Sequence, residues 1–152
     1  MPASLRHEHA RLQGELEAAQ QAPGRTGEAA RAVERIMRTH FLREAEYATP
    51  PLSLLGRLAR GRATEDMAWA LPLVDRLKAE LPLMLEEHRA IEGALDLLET
   101  AALAEGRPEF ARFAERLKLH ARLEEDVLYP AAILVGEYLR LVLEESTLKQ
   151  RG

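Results

Sequence analysis

Residues 40–50, HFLREAEYATP, and residues 120–130, HARLEEDVLYP, are two versions of one segment. Each sets a His and a Glu four positions apart, His40 with Glu44 and His120 with Glu124, and each ends on a proline, Pro50 or Pro130. Four positions is about one helical turn, so each pair shares a helix face. Upstream, LRHEHARLQGELE (5–17) lies over LEEHRAIEGALD from residue 85, pairing His9 with His88, Leu12 with Ile91, Gly14 with Gly93 and Leu16 with Leu95. The register shifts by a single residue between the two blocks, and Gly56 matches Gly136. A repeated helical hairpin carries two apolar stripes, and packing one hairpin on the other buries both. The expected fold is all-α: an antiparallel up-down four-helix bundle built from a duplicated hairpin. Its halves fall at about residues 4–60 and 84–140 of a single domain spanning 1–152. A helical insertion between the halves and an additional C-terminal helix complete it.

Along the chain, Leu5, Leu12 and Leu16 recur at helical spacing with His9 in the same stripe, from Ser4 to about Gln21. PGRTG (23–27) reads as a break, followed by a helix from about Glu28 to Tyr47 whose stripe is Val33, Met37, His40, Glu44 and Tyr47. TPP (49–51) should stop it, because proline cannot continue a helix and restricts the residue before it. LSLLGRLARGRATED (52–66) suggests a short amphipathic helical turn and a linker, with Thr64 or Glu65 opening the next helix. Met67, Leu71, Val74 and Leu77 then point inward, and a kink or break is expected at Pro72 or Pro82. Leu81, Met84, His88, Ile91, Leu95 and Leu98 stay in phase to about Ala104. AEGRPE (104–109) stops that helix and restarts another at Pro108, which runs to about Leu128. Phe113, Leu117 and Val127 share the face of His120 and Glu124. The last helix follows Pro130 to about Thr147, with Ile133, Leu134, Tyr138, Leu141, Val142 and Glu145 as an amphipathic surface that suits either packing across the bundle end or a homodimer contact.

Composition closes several functional classes. Ala, Leu, Glu and Arg dominate, all good helix formers, and aromatic residues make up only 5%, which disfavours strands. The formal charge is −4 with Arg and Glu interspersed, so the basic footprint of a nucleic-acid partner is missing. No cysteine means no disulfide, no thiolate nucleophile and no sulfur-ligated zinc or iron–sulfur cluster. The opening MPASLRHEH is too polar for a signal peptide, and the apolar run around AAILVG is too short to span a bilayer. A cytoplasmic protein with no membrane partner is the expectation. There is no Gly-rich phosphate loop, no Gly-x-Ser-x-Gly and no nucleophile–base pair.

What remains is the polar content of the stripes. Four of the five histidines, His9, His40, His88 and His120, occupy inward positions, as do Glu44 and Glu124. Isolated core histidines are usually satisfied by ordinary hydrogen bonds. Two buried carboxylates at the same offset from a His in both halves are another matter, since each costs several kcal/mol unless paired. Metal ions answer all of these charges together. Four imidazole nitrogens and two bridging carboxylates overload one ion but give two ions four donors each, leaving open positions that read as chemistry or ligand binding. Nitrogen and oxygen donors without sulfur suit iron, manganese or zinc. His7, two residues from His9, falls on another face and reads as a surface residue. Glu125 competes with Glu124 by position, but its counterpart in the first half is Ala45, which favours Glu124.

With EH (8–9), HxxxE (40–44), EH (87–88) and HxxxEExxLYP (120–130) in this order, the chain resembles the hemerythrin-like, or HHE cation-binding, family over most of its length outside residues 60–80. The resemblance implies a four-helix bundle with a non-haem di-iron centre, bridged by an oxo or hydroxo group. His9, His40, His88 and His120 would be terminal ligands, with Glu44 and Glu124 bridging. Oxygen-carrying members have a fifth His one turn before the position of His88, where this chain has Met84. The remaining four-His, two-Glu set looks closer to the iron-centre repair proteins of the superfamily, which usually carry a cysteine-bearing segment that has no counterpart in this cysteine-free chain. The resemblance thus implies a di-iron protein that binds or reacts with oxygen, peroxide or nitric oxide in sensing, scavenging or iron handling. Ferritin-like oxidases are set apart by their Glu-x-x-His, where this sequence has His-x-x-x-Glu. A repair-type protein, or a helical interaction module with a structural metal, is the alternative.

Overall fold

The computed structural model describes residues 1–151, and among them there is no strand. Helix α1 spans Ala3–Gln20 and α2 spans Gly24–Arg43. A π-helical turn at Glu44–Ala48 and a 3-10 turn at Pro50–Leu54 lead to the one-turn α3, Leu55–Leu58. A second 3-10 turn, Glu65–Trp69, opens the long α4, Ala70–Ala104. Helix α5, Pro108–Leu123, passes through another π-helical turn, Glu124–Leu128, into α6, Tyr129–Arg151. The all-α expectation holds, and no helix among the described residues is long and apolar enough to cross a membrane.

Each boundary has a local cause, and some differ from what the sequence suggests. The break expected at 23–27 is only residues 21–23, because Pro23 is the extended residue before α2 rather than a terminator. The exposed first N–H groups of α2 find an acceptor in the other half of the chain: Arg25 N and Thr26 N donate to the Glu105 carboxylate at 2.8 and 3.0 Å. A carboxylate there satisfies orphan donors and complements the helix dipole. Helix α4 ends where Gly106 takes a φ of +68°, open to glycine, and Arg107 N reaches back to Ala102 O at 2.8 Å. No break occurs at Pro72 or Pro82. Pro72 lies in the first turn, where a missing N–H costs little, and Pro82 sits inside the unbroken α4 on its exposed side, so the carbonyl it leaves unpaired is open to water.

Helices α1, α2, α4 and α5 touch in a closed ring, α1 on α2 and α5, α4 on α2 and α5. Helix α6 lies along α4, closely enough that a Cβ on Gly136 would come within 2.5 Å of Val74. Salt bridges Lys78–Glu137 and Asp75–Arg140 line the same seam. Among the described residues three apolar clusters fill the interior: Leu54, Leu58, Met67, Ala70, Val135 and Leu139 form the one that seats α6, and two larger ones fill the rest. One gathers Leu12, Leu16, Val33, Ile91, Leu95, Leu98, Phe113 and Leu117; the other gathers Leu5, Tyr47, Leu52, Leu77, Met84 and Tyr129. Burying each large side chain in them is worth about 1.5–3 kcal/mol.

One inward assignment is corrected. Val127 is half exposed, although Tyr47 at the matching repeat position is fully buried. Helix α4 covers Tyr47, with Glu80 accepting its O–H at 2.7 Å and Arg76 lying over its ring; Val127 has no such cover. On α6 the buried residues are Tyr129, Ala132, Val135, Gly136 and Leu139, while Leu134, Tyr138 and Leu141 point outward. The amphipathic surface read from the sequence is therefore largely the outer side of that helix.

Candidate metal centre

Between the two larger apolar clusters lies a belt of buried polar side chains. Helix α1 contributes His9, α2 contributes His40 with Glu44 just beyond its end, α4 contributes His88, and α5 contributes His120 with Glu124 just beyond its end. They fall into two groups that could hold a metal ion: His40, Glu44, His88 and Glu124 in one, and His9, His120 and Glu124 in the other, with donor atoms within 4.8 Å of one another in each. All six inward residues picked from the sequence are brought together, with Glu124 common to both groups. His7 is exposed, and Glu125 sits behind His88 rather than in the cluster.

The π-helical turns begin at Glu44 and Glu124, the same point in both repeats. In each, a backbone N–H reaches back five residues, Thr49 N to Glu44 O and Tyr129 N to Glu124 O. The residues that follow are Pro50 and Pro130, whose rings would clash with the carbonyl four positions back in a regular α-turn. A widened turn relieves that clash. It also rotates the next residue inward, which brings the Tyr129 O–H to Glu44 Oε1 at 2.6 Å and to within 3.2 Å of His88 Nε2.

The ring nitrogens converge. His40 Nε2 and His88 Nε2 are 2.9 Å apart, and His40 Nε2 lies 3.6 Å from Glu44 Oε1. His88 Nε2 stands 3.2 Å from Glu124 Oε2. On the other side, His9 Nε2 and His120 Nε2 lie 3.3 and 2.7 Å from Glu124 Oε1. Behind the rings stands a second layer of carboxylates. Glu87, itself paired with Arg43, is 3.1 Å from His40 Nδ1, and Glu125 is 2.8 Å from His88 Nδ1. An Nδ1–H donating to these carboxylates leaves Nε2 with its lone pair toward the cluster, the tautomer a metal ligand needs. Glu8 stands 3.3 Å from His120 Nδ1 but off the hydrogen-bond line.

Among the described residues, three buried side-chain polar atoms have no hydrogen-bond partner: Glu44 Oε2 and both ring nitrogens of His120. The short His120–Glu124 distance does not remove this deficit, because proximity without alignment makes a weak hydrogen bond. Each unsatisfied atom costs about 1–3 kcal/mol, so the donor set is better suited to a cation placed among them than to itself. The electrostatics agree. Burial, reinforced by the Glu124 charge, pushes the Glu44 carboxyl well up. Burial also opposes ionisation of Glu124, but the imidazoles of His120, His88 and His9 close around it more than offset that and hold the carboxyl well down. Burial and the neighbouring His88 lower His40 to about 4. Burial lowers His88 and His120 as well, yet Glu124 draws both up overall, helped by Glu125 at His88 and by Glu8 at His120. Protons thus neutralise a cluster whose donors are of the kind a metal binds, and metal binding would release them. Met37, Phe41, Ile91 and Leu117 line a small void of about 10 Å³ against His40, His88, His120 and Glu124, room for a single water-sized molecule.

Reading the sequence missed Tyr129 and the roles of Glu8, Glu87 and Glu125. The signal was there in the EH doublets: each Glu sits one residue before a cluster His, so it misses the inward stripe yet reaches the His of the facing helix. No family model matches the chain, and neither a curated protein nor a solved structure matches it.

Proposed function

We propose that this chain is a hemerythrin-like protein whose four ring-forming helices make an up-down bundle around two iron ions. It binds or reacts with a small oxidant, oxygen, peroxide or nitric oxide, in sensing, scavenging or iron handling. The observation that carries the reading is the pair of buried donor groups on four helices, joined through Glu124. His40 and His88 would hold one ion, His9 and His120 the other, with Glu44 and Glu124 bridging. When bound, such ions supply open coordination positions and electrons for a small ligand. The protein's own part is to position: Glu87 and Glu125 orient their imidazoles, Tyr129 fixes Glu44, and the apolar wall of Ile91, Leu117 and Met37 limits water. Met84 is fully buried in the apolar cluster and adds no fifth imidazole, which favours a repair-type or scavenging centre over oxygen carriage.

The test is the visible spectrum of the chain loaded anaerobically with Fe(II), recorded before oxygen, after oxygen and after its removal. A charge-transfer band that forms and persists is the expected result, and a band that reverses would instead assign reversible oxygen carriage. Failure to bind iron, with zinc or manganese bound in its place, would overturn the di-iron reading. His120→Ala or Glu44→Ala should each abolish two-metal binding.

A further inference from the structure

The two donor groups are not equivalent, and the difference sits at one repeat position. Glu125, first after the bridging Glu124, accepts a hydrogen bond from His88 Nδ1 and lines, together with His88 itself, a polar surface pocket that also includes Arg89, Lys118 and Arg122. Its counterpart, first after Glu44, is Ala45. Where a carboxylate would stand, there is a surface pocket of about 170 Å³ whose walls include Ala45, Phe41, Gln13, Thr49 and the His9 ring itself. His9 is accordingly the most exposed of the four cluster histidines, at 15% of its side chain against 2–3% for the other three. Its partner His120 is buried with neither ring nitrogen in a hydrogen bond. By contrast, His40 and His88 are each fixed at Nδ1 by a carboxylate, Glu87 and Glu125.

From this we infer, resting on the metal reading above, that the position held by His9, His120 and Glu124 is the exchangeable one. Its ion loads last and leaves first, through the pocket over Ala45. Two physical effects act in the same direction. Imidazoles without a second-layer acceptor are free to tilt and are weaker bases, and loss of such an acceptor typically lowers metal affinity by about 10–100-fold. The pocket over Ala45 also opens onto the more exposed His9 ring, whereas His88, which lines a pocket of its own, is nearly buried and has its Nδ1 tied to Glu125.

The experiment mixes the full chain, loaded anaerobically with two Fe(II) ions, with a chromophoric Fe(II) chelator and follows release by stopped flow. Release in two phases of one ion each is expected, the first about tenfold or more the faster. Ala45→Glu, an exposed site where a longer side chain has room, should slow the fast phase and spare the slow one. Glu125→Ala should do the converse and speed the slow phase. Should Ala45→Glu fail to fold, Ala45→Gln tests the same closure with a neutral side chain. Both ions leaving at one rate, or a fast phase indifferent to residue 45, would overturn the inference while leaving the di-iron reading intact. A chain that takes up no iron would overturn both.

Discussion

On the side of His40 and His88 the ring nitrogens facing away from the cluster are met by Glu87 and Glu125; on the side of His9 and His120 only Glu8 comes near, off line, and Ala45 stands in the place of Glu125. The inner donors of the two halves match residue for residue. Their surroundings do not. A duplicated hairpin fixes where helices present inward side chains, because that depends on helical period alone. The side chains that orient those donors lie beside the inward stripe, and their surroundings differ between the halves: α4 covers the first half at Tyr47, and α6 lies on α4 and on the 3-10 turns at Pro50–Leu54 and Glu65–Trp69.

The comparison can be broken most severely at the residue both groups share. Glu124→Gln keeps the shape but removes the charge common to both donor groups, and metal analysis after anaerobic loading should find neither ion retained. Retention of two would mean the groups do not share that carboxylate. Next in size is the glycine pair. Gly136→Ala drives a Cβ into Val74 and should cost about 1–3 kcal/mol in denaturant unfolding of the metal-free chain. At the matching position, where the nearest atoms are 3.7 Å away on the flexible Arg60 side chain, Gly56→Ala should be neutral or stabilising by up to about 1 kcal/mol. Equal effects at the two glycines would contradict the close approach of α6 to α4 at Gly136.

A smaller and more selective effect is expected from Tyr129→Phe. The phenol donates to Glu44 in the His40 group, so its loss should weaken that ion about tenfold in a competition titration and the His9 ion by less. The smallest concerns the tie between halves. Hydrogen bonds from Thr26 and Arg25 hold the Glu105 carboxyl at about 2, below its ordinary 4.5. A depressed folded pKa contributes stability that is complete above pH 4.5 and disappears as the pH falls toward 2. Glu105→Gln should therefore unfold more readily than the parent at pH 7, with the gap between them narrowing below pH 4.5. A gap of constant size down to pH 2 would show that the charge plays no part.

The helical period and the repeat were enough to read the all-helical class and the six side chains that meet in the cluster, because a face defined every three or four residues is a property of the sequence itself. Other features depended on partners distant in the chain. Gly24 and Gly27 look like a broken helix until Glu105 supplies the cap from the other hairpin. Pro82 looks like a break until it is found on the exposed side of an unbroken α4. Val127 and Tyr47 occupy one repeat position, and only the covering helix tells them apart. The π-turns were foreshadowed by Pro50 and Pro130, yet a proline signals that a helix must change, not that it will widen and bring Tyr129 onto Glu44.

The most direct test of the central claim is the iron content of the full chain after anaerobic Fe(II) loading and desalting, measured beside His120→Ala and Glu44→Ala. The account predicts two irons per chain for the parent and fewer than two for each variant. Two irons retained in either variant, or one or none in the parent, would contradict it.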